Sequence, residues 1–148
     1  MKFLIQRVNK ASVKADNVIT GQIGKGLLIF AGICESDTEE IADKMLKKAY
    51  NLRIFSDSEG KTNLSAGDVG GSLLVISQFT LYANCKKGNR PSFFEAGSPA
   101  HAEKLYNYIV NKAKEYCSTV ETGRFGADME VVLSNDGPFT IMLDSEEL

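Results

Sequence analysis

Ser77-Gln78-Phe79-Thr80 places two hydroxyls and a side-chain amide within four residues, at the end of the apolar run Leu73 to Ile76. A basic segment follows. Between Asp68 and Glu95 there is no acidic residue, while Lys86, Lys87 and Arg90 supply a local charge of +3. Hydrogen-bonding groups beside cations are the makings of a cleft for a polyanion, since Arg and Lys next to a cleft hold phosphates. Read by themselves, Ser77 and Thr80 also suit ordinary strand hydroxyls, and the basic segment suits a solvated loop. A second candidate is Gly137-Pro138, which on pattern alone is a tight turn between two strands.

The usual catalytic sets are missing. His101 is the only histidine, and no nucleophile elbow accompanies it, so nothing supports a Ser-His-Asp arrangement. No pair of metal ligands stands at helical spacing, and neither phosphate-binding glycine motif occurs. Gly24-Lys25-Gly26 alone signals a hairpin. Cys34, Cys85 and Cys117 are far apart and odd in number, which supports neither a disulfide framework nor a zinc site and fits a reducing compartment. No metal and no cofactor are expected.

The elements that must position these residues follow from periodicity. Phe3 to Val13, Val18 to Ile23 and Leu27 to Phe30 read as strands, with Asp16-Asn17 as a turn. Ser36 and Asp37, in capping-box spacing with Glu39 and Glu40, predict a helix start, and Ile41, Met45, Ala49 and Leu52 recur at helical spacing. Leu52 to Phe55 returns to strand, Ser56 to Gly60 is a turn, and Asn63 to Gly71 is a loop. The strand from Leu73 is expected to run through Leu81, with Ser77, Phe79 and Leu81 on one face and Gln78 and Thr80 on the other. A second helix is expected from Ser98 as N-cap with Pro99 in the first turn, its apolar face being Ala102, Leu105, Ile109, Ala113 and Tyr116. Strands near Thr119–Thr122, Met129–Leu133 and Phe139–Leu143 complete the order, the last two separated by Asn135-Asp136-Gly137-Pro138. This is one α+β domain over residues 1–148.

Composition bounds the partners. The 148 residues carry 19 acids and 17 bases, a net charge of −2, which excludes a uniformly basic nucleic-acid binder. The charge is unevenly spread: +4 over residues 1–34, −5 over 35–43 and −7 over 115–148. The −5 cluster sits where acids favour a helix start. The longest apolar stretch, Leu27 to Ile33, has seven residues and cannot cross a bilayer. The Phe3-Leu4-Ile5 run is too short for a signal segment, so a soluble cytoplasmic protein is expected. From the residues alone the reading is a small α+β domain with a candidate polyanion cleft.

The same segments resemble the D-aminoacyl-tRNA deacylases, the D-tyrosyl-tRNA(Tyr) deacylase family, over nearly the whole chain. The resemblance rests on Ile5-Gln6-Arg7-Val8, Ala11-Ser12-Val13, Asn51 to Phe55, Asp68-Val69-Gly70-Gly71 and Arg90-Pro91-Ser92-Phe93. Thr122 to Met129 and, most specifically, Ser77-Gln78-Phe79-Thr80-Leu81 and Asn135-Asp136-Gly137-Pro138 complete it. Phe139, where many relatives have a smaller aliphatic residue, departs mildly.

The resemblance implies a mostly antiparallel, barrel-like β architecture with two main helices, assembled as a homodimer. It implies hydrolysis of the ester of D-aminoacyl-tRNA, and of mischarged glycyl-tRNA, with L-aminoacyl esters rejected. Ser77, Gln78, Phe79 and Thr80 would form the catalytic floor that takes the 3′-terminal adenosine and its ester. Gly137 and Pro138, joined by a cis bond in the family, would enter from the partner subunit and select chirality, with Arg7 holding them. Phe125 and Met129 would lie in the same pocket, and Lys86, Lys87 and Arg90 are candidates for RNA contact. An aminoacyl ester is already activated, so backbone N–H groups around Phe79 and Thr80, with help from the substrate 2′-hydroxyl, could replace a triad. Two other readings stay open: a non-catalytic nucleic-acid-binding module on the same fold, and a hydrolase of another small acyl ester.

Overall fold

The computed structural model describes residues 1–148. Three strands open the chain: β1 (Lys2–Ala15), β2 (Val18–Ile23) and β3 (Gly26–Gly32). Asp16 and Asn17 both take positive φ in the turn after β1, the geometry that matches the twist of paired strands. Helix α1 (Glu39–Tyr50) follows, then the short hairpin β4 (Phe55–Ser56) and β5 (Thr62–Leu64), and β6 (Ser72–Ser77). Helix α2 (Pro99–Tyr116), β7 (Val120–Thr122) and the long β8 (Met129–Asp144) complete the chain.

The main sheet is mixed and runs β2-β1-β3-β6-β7, with β8 along the other edge of β1. β1 pairs antiparallel with β2, β3 and β8, whereas β3–β6 and β6–β7 are parallel. The sheet nearly closes on itself. At Gly21 of β2 a Cβ would lie 2.6 Å from the Thr122 carbonyl oxygen of β7, so only glycine lets the two come this near.

Alternation sorts the core into two layers. Phe3, Ile5, Leu27, Ile29, Leu73 and Val75 face the helices, where Met45, Leu46, Ala49, Leu105, Ile109 and Ala113 cover them. Val8, Val13, Leu28, Leu74 and Ile76 face the opposite way, against Met129, Val131 and Leu133 of β8. Along β1 the inward positions change parity after Val8. The cause is a bulge: Val8 pairs with Asn135 and Lys10 with Ser134, which leaves Asn9 without an opposite residue.

Four sequence expectations are corrected. The strand expected through Leu81 ends at Ser77, and Phe79–Tyr82 form a 3-10 turn instead. The strands expected on either side of Asn135–Pro138 are one strand, β8, because both halves pair with β1. The N-cap of α1 is Thr38, whose Oγ1 accepts the Ile41 N–H at 3.3 Å, and not Ser36 or Asp37. Asp37 is buried elsewhere, accepting the N-terminal ammonium at 2.6 Å and the Cys34 N–H at 2.8 Å. Finally, Leu52 lies beyond the helix, whose C-cap is Asn51. The second helix begins as expected at Ser98 and Pro99, although the Ser98 hydroxyl serves Glu35 rather than the helix.

Candidate active site

A groove of about 550 Å3 opens where the carboxyl end of β6 meets the start of α2 and the loop before β8. Its floor comes from Ser77, Gln78 and Phe79, and Phe125 and Met129 line the opposite wall. The lining also includes residues to which the sequence assigned no site role: Phe93, Ala96, Gly97, Pro99, Ala102 and the carboxylate Asp128. A signal for Phe93 to Ala102 existed in the small residues Ala96-Gly97 after Arg90-Pro91-Ser92-Phe93. Their role depends on a long-range fold, since the Gly97 N–H donates to the Ile33 carbonyl at 2.9 Å and so brings the segment beside β3.

The floor is built by the change from strand to 3-10 turn. Gln78 continues the ladder, its N–H donating to the Ala31 carbonyl at 2.8 Å. The chain then turns: Leu81 N–H donates to Gln78 at 3.3 Å and Ala83 N–H to Thr80 at 3.0 Å. Phe79 and Thr80 open this turn, so their N–H groups find no acceptor within it. Gly32 permits the turn to lie against β3, since a Cβ there would meet Leu81 Cβ at 3.0 Å and the Gln78 carbonyl oxygen at 3.2 Å. The Thr80 hydroxyl accepts from Gln78 Nε2 at 2.6 Å and does not line the groove. No carboxylate or imidazole bonds to it.

The aromatic walls are braced from outside. Phe79 meets Phe93 edge-on at 5.0 Å between ring centroids. Phe125 packs on Tyr106 at 5.9 Å, and the Tyr106 hydroxyl donates to the Val75 carbonyl at 2.9 Å. Burial pushes the Tyr106 phenol up to about 12, so it remains a donor at any physiological pH. Glu35 ties the start of α2 to the end of β3 by accepting the Ser98 N–H at 2.7 Å and the Ser98 hydroxyl at 3.4 Å. Those hydrogen bonds hold its carboxyl below the ordinary value of 4.5. His101 lies in the first turn of α2, half-buried, with Nε2 buried and unpartnered, and it does not line the groove.

Gly137 and Pro138 are exposed and lie outside this groove. On β8, Asn135 pairs with Val8 and Thr140 with Gln6, so four residues span the gap that Arg7 alone spans on β1. The surplus pushes Asp136-Gly137-Pro138-Phe139 out of the ladder. Gly137 sits at φ +127, a conformation that favours glycine, and the Gly137–Pro138 bond is cis. Arg7 supports the protrusion from beneath. Its Nε donates to the Asp136 carbonyl at 3.0 Å and lies 3.1 Å from Asp136 Oδ2 in an ion pair, and its Nη1 donates to the Ile54 carbonyl. The guanidinium also lies 4.9 Å from the centre of the Phe139 ring.

One chain therefore joins Ser77, Gln78, Phe79, Phe125 and Met129 in a groove, and joins Arg7, Gly137 and Pro138 in a separate protrusion. Lys86, Lys87 and Arg90 are exposed on the loop between the 3-10 turn and α2. No three His, Cys, Asp or Glu side chains gather as a metal site would require. No helix is long and apolar enough to cross a membrane.

The comparisons bear on the whole chain. Residues 4–144 match the sequence model of the D-Tyr-tRNA(Tyr) deacylase family. A D-aminoacyl-tRNA deacylase of Thermosipho melanesiensis is 50% identical, the match covering 100% of this chain and 99% of the relative. Among solved structures, a c-Myc DNA Unwinding Element Binding Protein superposes with a TM-score of 0.91 at 39% identity, covering 97% of this chain and 98% of that one. A probable eukaryotic D-amino acid tRNA deacylase shares the fold, with a TM-score of 0.83 at 17% identity and coverage of 96% and 97%. A groove on a nearly closed mixed sheet, matched end to end by these relatives, marks a hydrolytic deacylase. The chain belongs to the D-Tyr-tRNA(Tyr) deacylase family.

Proposed function

We propose that the protein cleaves the ester joining a D-amino acid to the terminal ribose of tRNA, and that it does so in the cytoplasm as a chiral proofreader. The observation that supports this best is the groove itself. Its lining holds one carboxylate, Asp128, which makes no hydrogen bond to the Thr80 hydroxyl, and beside it the Phe79 and Thr80 N–H groups open the 3-10 turn with no acceptor inside that turn. Such a site suits a substrate that is already activated. The groove orients the 3′-terminal adenosine, the two N–H groups stabilise the developing oxyanion, and the neighbouring ribose 2′-hydroxyl assists the attack of water. Positioning can contribute up to about 7–11 kcal/mol and an oxyanion donor about 2.7–4 kcal/mol.

Chirality is read by exclusion in a homodimer. The outer edge of β8 has no strand partner within the chain, and Val132 and Met142 on it are 55% and 49% exposed. A second copy covering this edge would bring the exposed Gly137–Pro138 protrusion to the neighbouring groove. Carbonyls of Gly137 and Pro138 beside the substrate α-carbon would collide with an L side chain and leave room for a D side chain. Glycine, with no side chain, would pass, so glycyl-tRNA is also a substrate.

The decisive experiment compares matched D- and L-tyrosyl-tRNA. The D ester is expected to be hydrolysed much faster, and equal rates would sink this assignment. A second reading draws on the relative named for binding a DNA unwinding element: a nucleic-acid-binding module without catalysis. It predicts salt-sensitive binding with no ester cleavage in the same assay.

A further inference from the structure

Phe94 is 97% exposed, the most exposed of the large apolar side chains, and nothing within the chain covers it. Its neighbours fix where it stands. Phe93 lines the groove and packs on Phe79, and Ala96 and Gly97 line the groove two and three residues further on. Asn84 and Ser92 pair through both backbone N–H groups, at 2.8 and 3.0 Å, so residues 84–92 form a loop closed at its base. Asn84 also donates to Glu95 Oε1 at 3.1 Å and accepts the Lys86 N–H at 3.1 Å, which ties both limbs of that base together. The basic segment and the free aromatic ring thus rise from one anchored base at the groove rim.

We infer that Phe94, with Lys86, Lys87 and Arg90, forms a docking platform for the unpaired nucleotides that precede the terminal adenosine of tRNA. Phe94 stacks on a base, and the three cations contact phosphates. This rests on the function proposed above. The groove, about 550 Å3, has room for one nucleoside and its ester, so the next nucleotide must leave across the rim. A single strand is bound by an aromatic face for its bases and positive charge for its backbone, and both occur here together. Glu95, the one acid beside the platform, is held toward Asn84. The platform does not read sequence, because every base has a face to stack.

The test compares D-tyrosyl-tRNA with the D-tyrosyl ester of adenosine, which lacks the preceding nucleotides. Phe94→Ala is expected to raise KM for the tRNA about ten-fold more than for the adenosine ester, and Phe94→Trp to restore it. Replacing Lys86, Lys87 and Arg90 by Ala is expected to flatten the slope of log Kd for uncharged tRNA against log salt by about two. Equal effects of Phe94→Ala on both substrates would overturn the platform, because the groove itself would then be disturbed. So would an unchanged KM for tRNA, or a shift in oligomeric state on sedimentation, which would make Phe94 a subunit contact. If the wild type bound uncharged tRNA through Phe94 but cleaved neither ester, the platform would stand and the proposed hydrolysis would fall.

Discussion

At the scale of single residues, two side chains carry different loads. Thr80 is the natural candidate for a nucleophile, yet its hydroxyl accepts from Gln78 and no carboxylate or imidazole is hydrogen-bonded to it. Activation would require such a base. Thr80→Ala is therefore expected to retain substantial single-turnover activity on D-tyrosyl-tRNA, while a substrate with a 2′-deoxy terminal ribose is expected to turn over slowly. Complete loss in the Ala variant, with binding intact, would instead argue for a covalent intermediate. Arg7 works through its planar fork, joining Asp136 and Ile54 under the protruding segment while a ring lies alongside. A lysine offers one point charge and cannot span both carbonyls. Arg7→Lys should cost roughly 1–3 kcal/mol in urea unfolding, a range set by leaving buried acceptors unpaired. It should also lower the preference for D over L esters, because the protrusion it supports would no longer be fixed.

At the scale of elements, the helices were legible and the irregular segments were not. Helix α2 follows its N-terminal proline and its apolar spacing, and β3 and β6 follow their unbroken apolar runs. The turn after Ser77 escaped because Phe79, Thr80 and Leu81 are good strand residues. What bends them is the contact with Gly32, which alternation cannot register. The protrusion in β8 escaped for the opposite reason. Asn-Asp-Gly-Pro is strong turn chemistry, and only the pairing of both flanks with β1 shows that no reversal occurs. Ser77, Gln78 and Phe79 line the groove as the sequence led one to expect, whereas the exclusion of Thr80 from its lining and the separation of the groove from Gly137–Pro138 needed the fold. Carboxylates at element ends also set an acid limit. Glu35 at the start of α2, Glu40 in the first turn of α1, Asp57 in the β4–β5 turn and Asp68 before β6 all titrate below their ordinary values, held by hydrogen bonds to Ser98, Thr38, Lys61 and Ser65 respectively. A folded pKa below the unfolded one contributes stability above the unfolded value, and that contribution is lost as pH falls through the lowered one. The thermal midpoint should hold from about pH 7 to 5 and fall modestly toward pH 3, since all four carboxylates reach solvent. A midpoint unchanged at pH 3 would show that these bonds add nothing to the fold.

At the scale of the whole molecule, one chain carries the groove and, apart from it, the Gly137–Pro138 protrusion proposed above as the chiral wall. The dimer proposed above joins them, and its disruption has a specific consequence. Val132 and Met142 are exposed on the free strand edge and line neither the groove nor the Arg7 cluster. Replacing both with Asp would place charges on any surface that a second copy covers, while the fold of each chain needs neither side chain buried. The monomer should then keep its groove and its backbone donors. It should therefore still cleave an activated ester, at a reduced rate where the partner also helps to hold the substrate. What it should lose is discrimination, with the ratio of D- to L-tyrosyl-tRNA hydrolysis falling toward one, because the L side chain meets no carbonyl wall. Sedimentation of the double variant, with both substrates assayed at the same protein concentration, makes the comparison. A monomer that still rejects L-tyrosyl-tRNA would mean that chirality is read within a single chain. The wall would then have to be sought among Phe93, Ala96 and Gly97, which already border the groove.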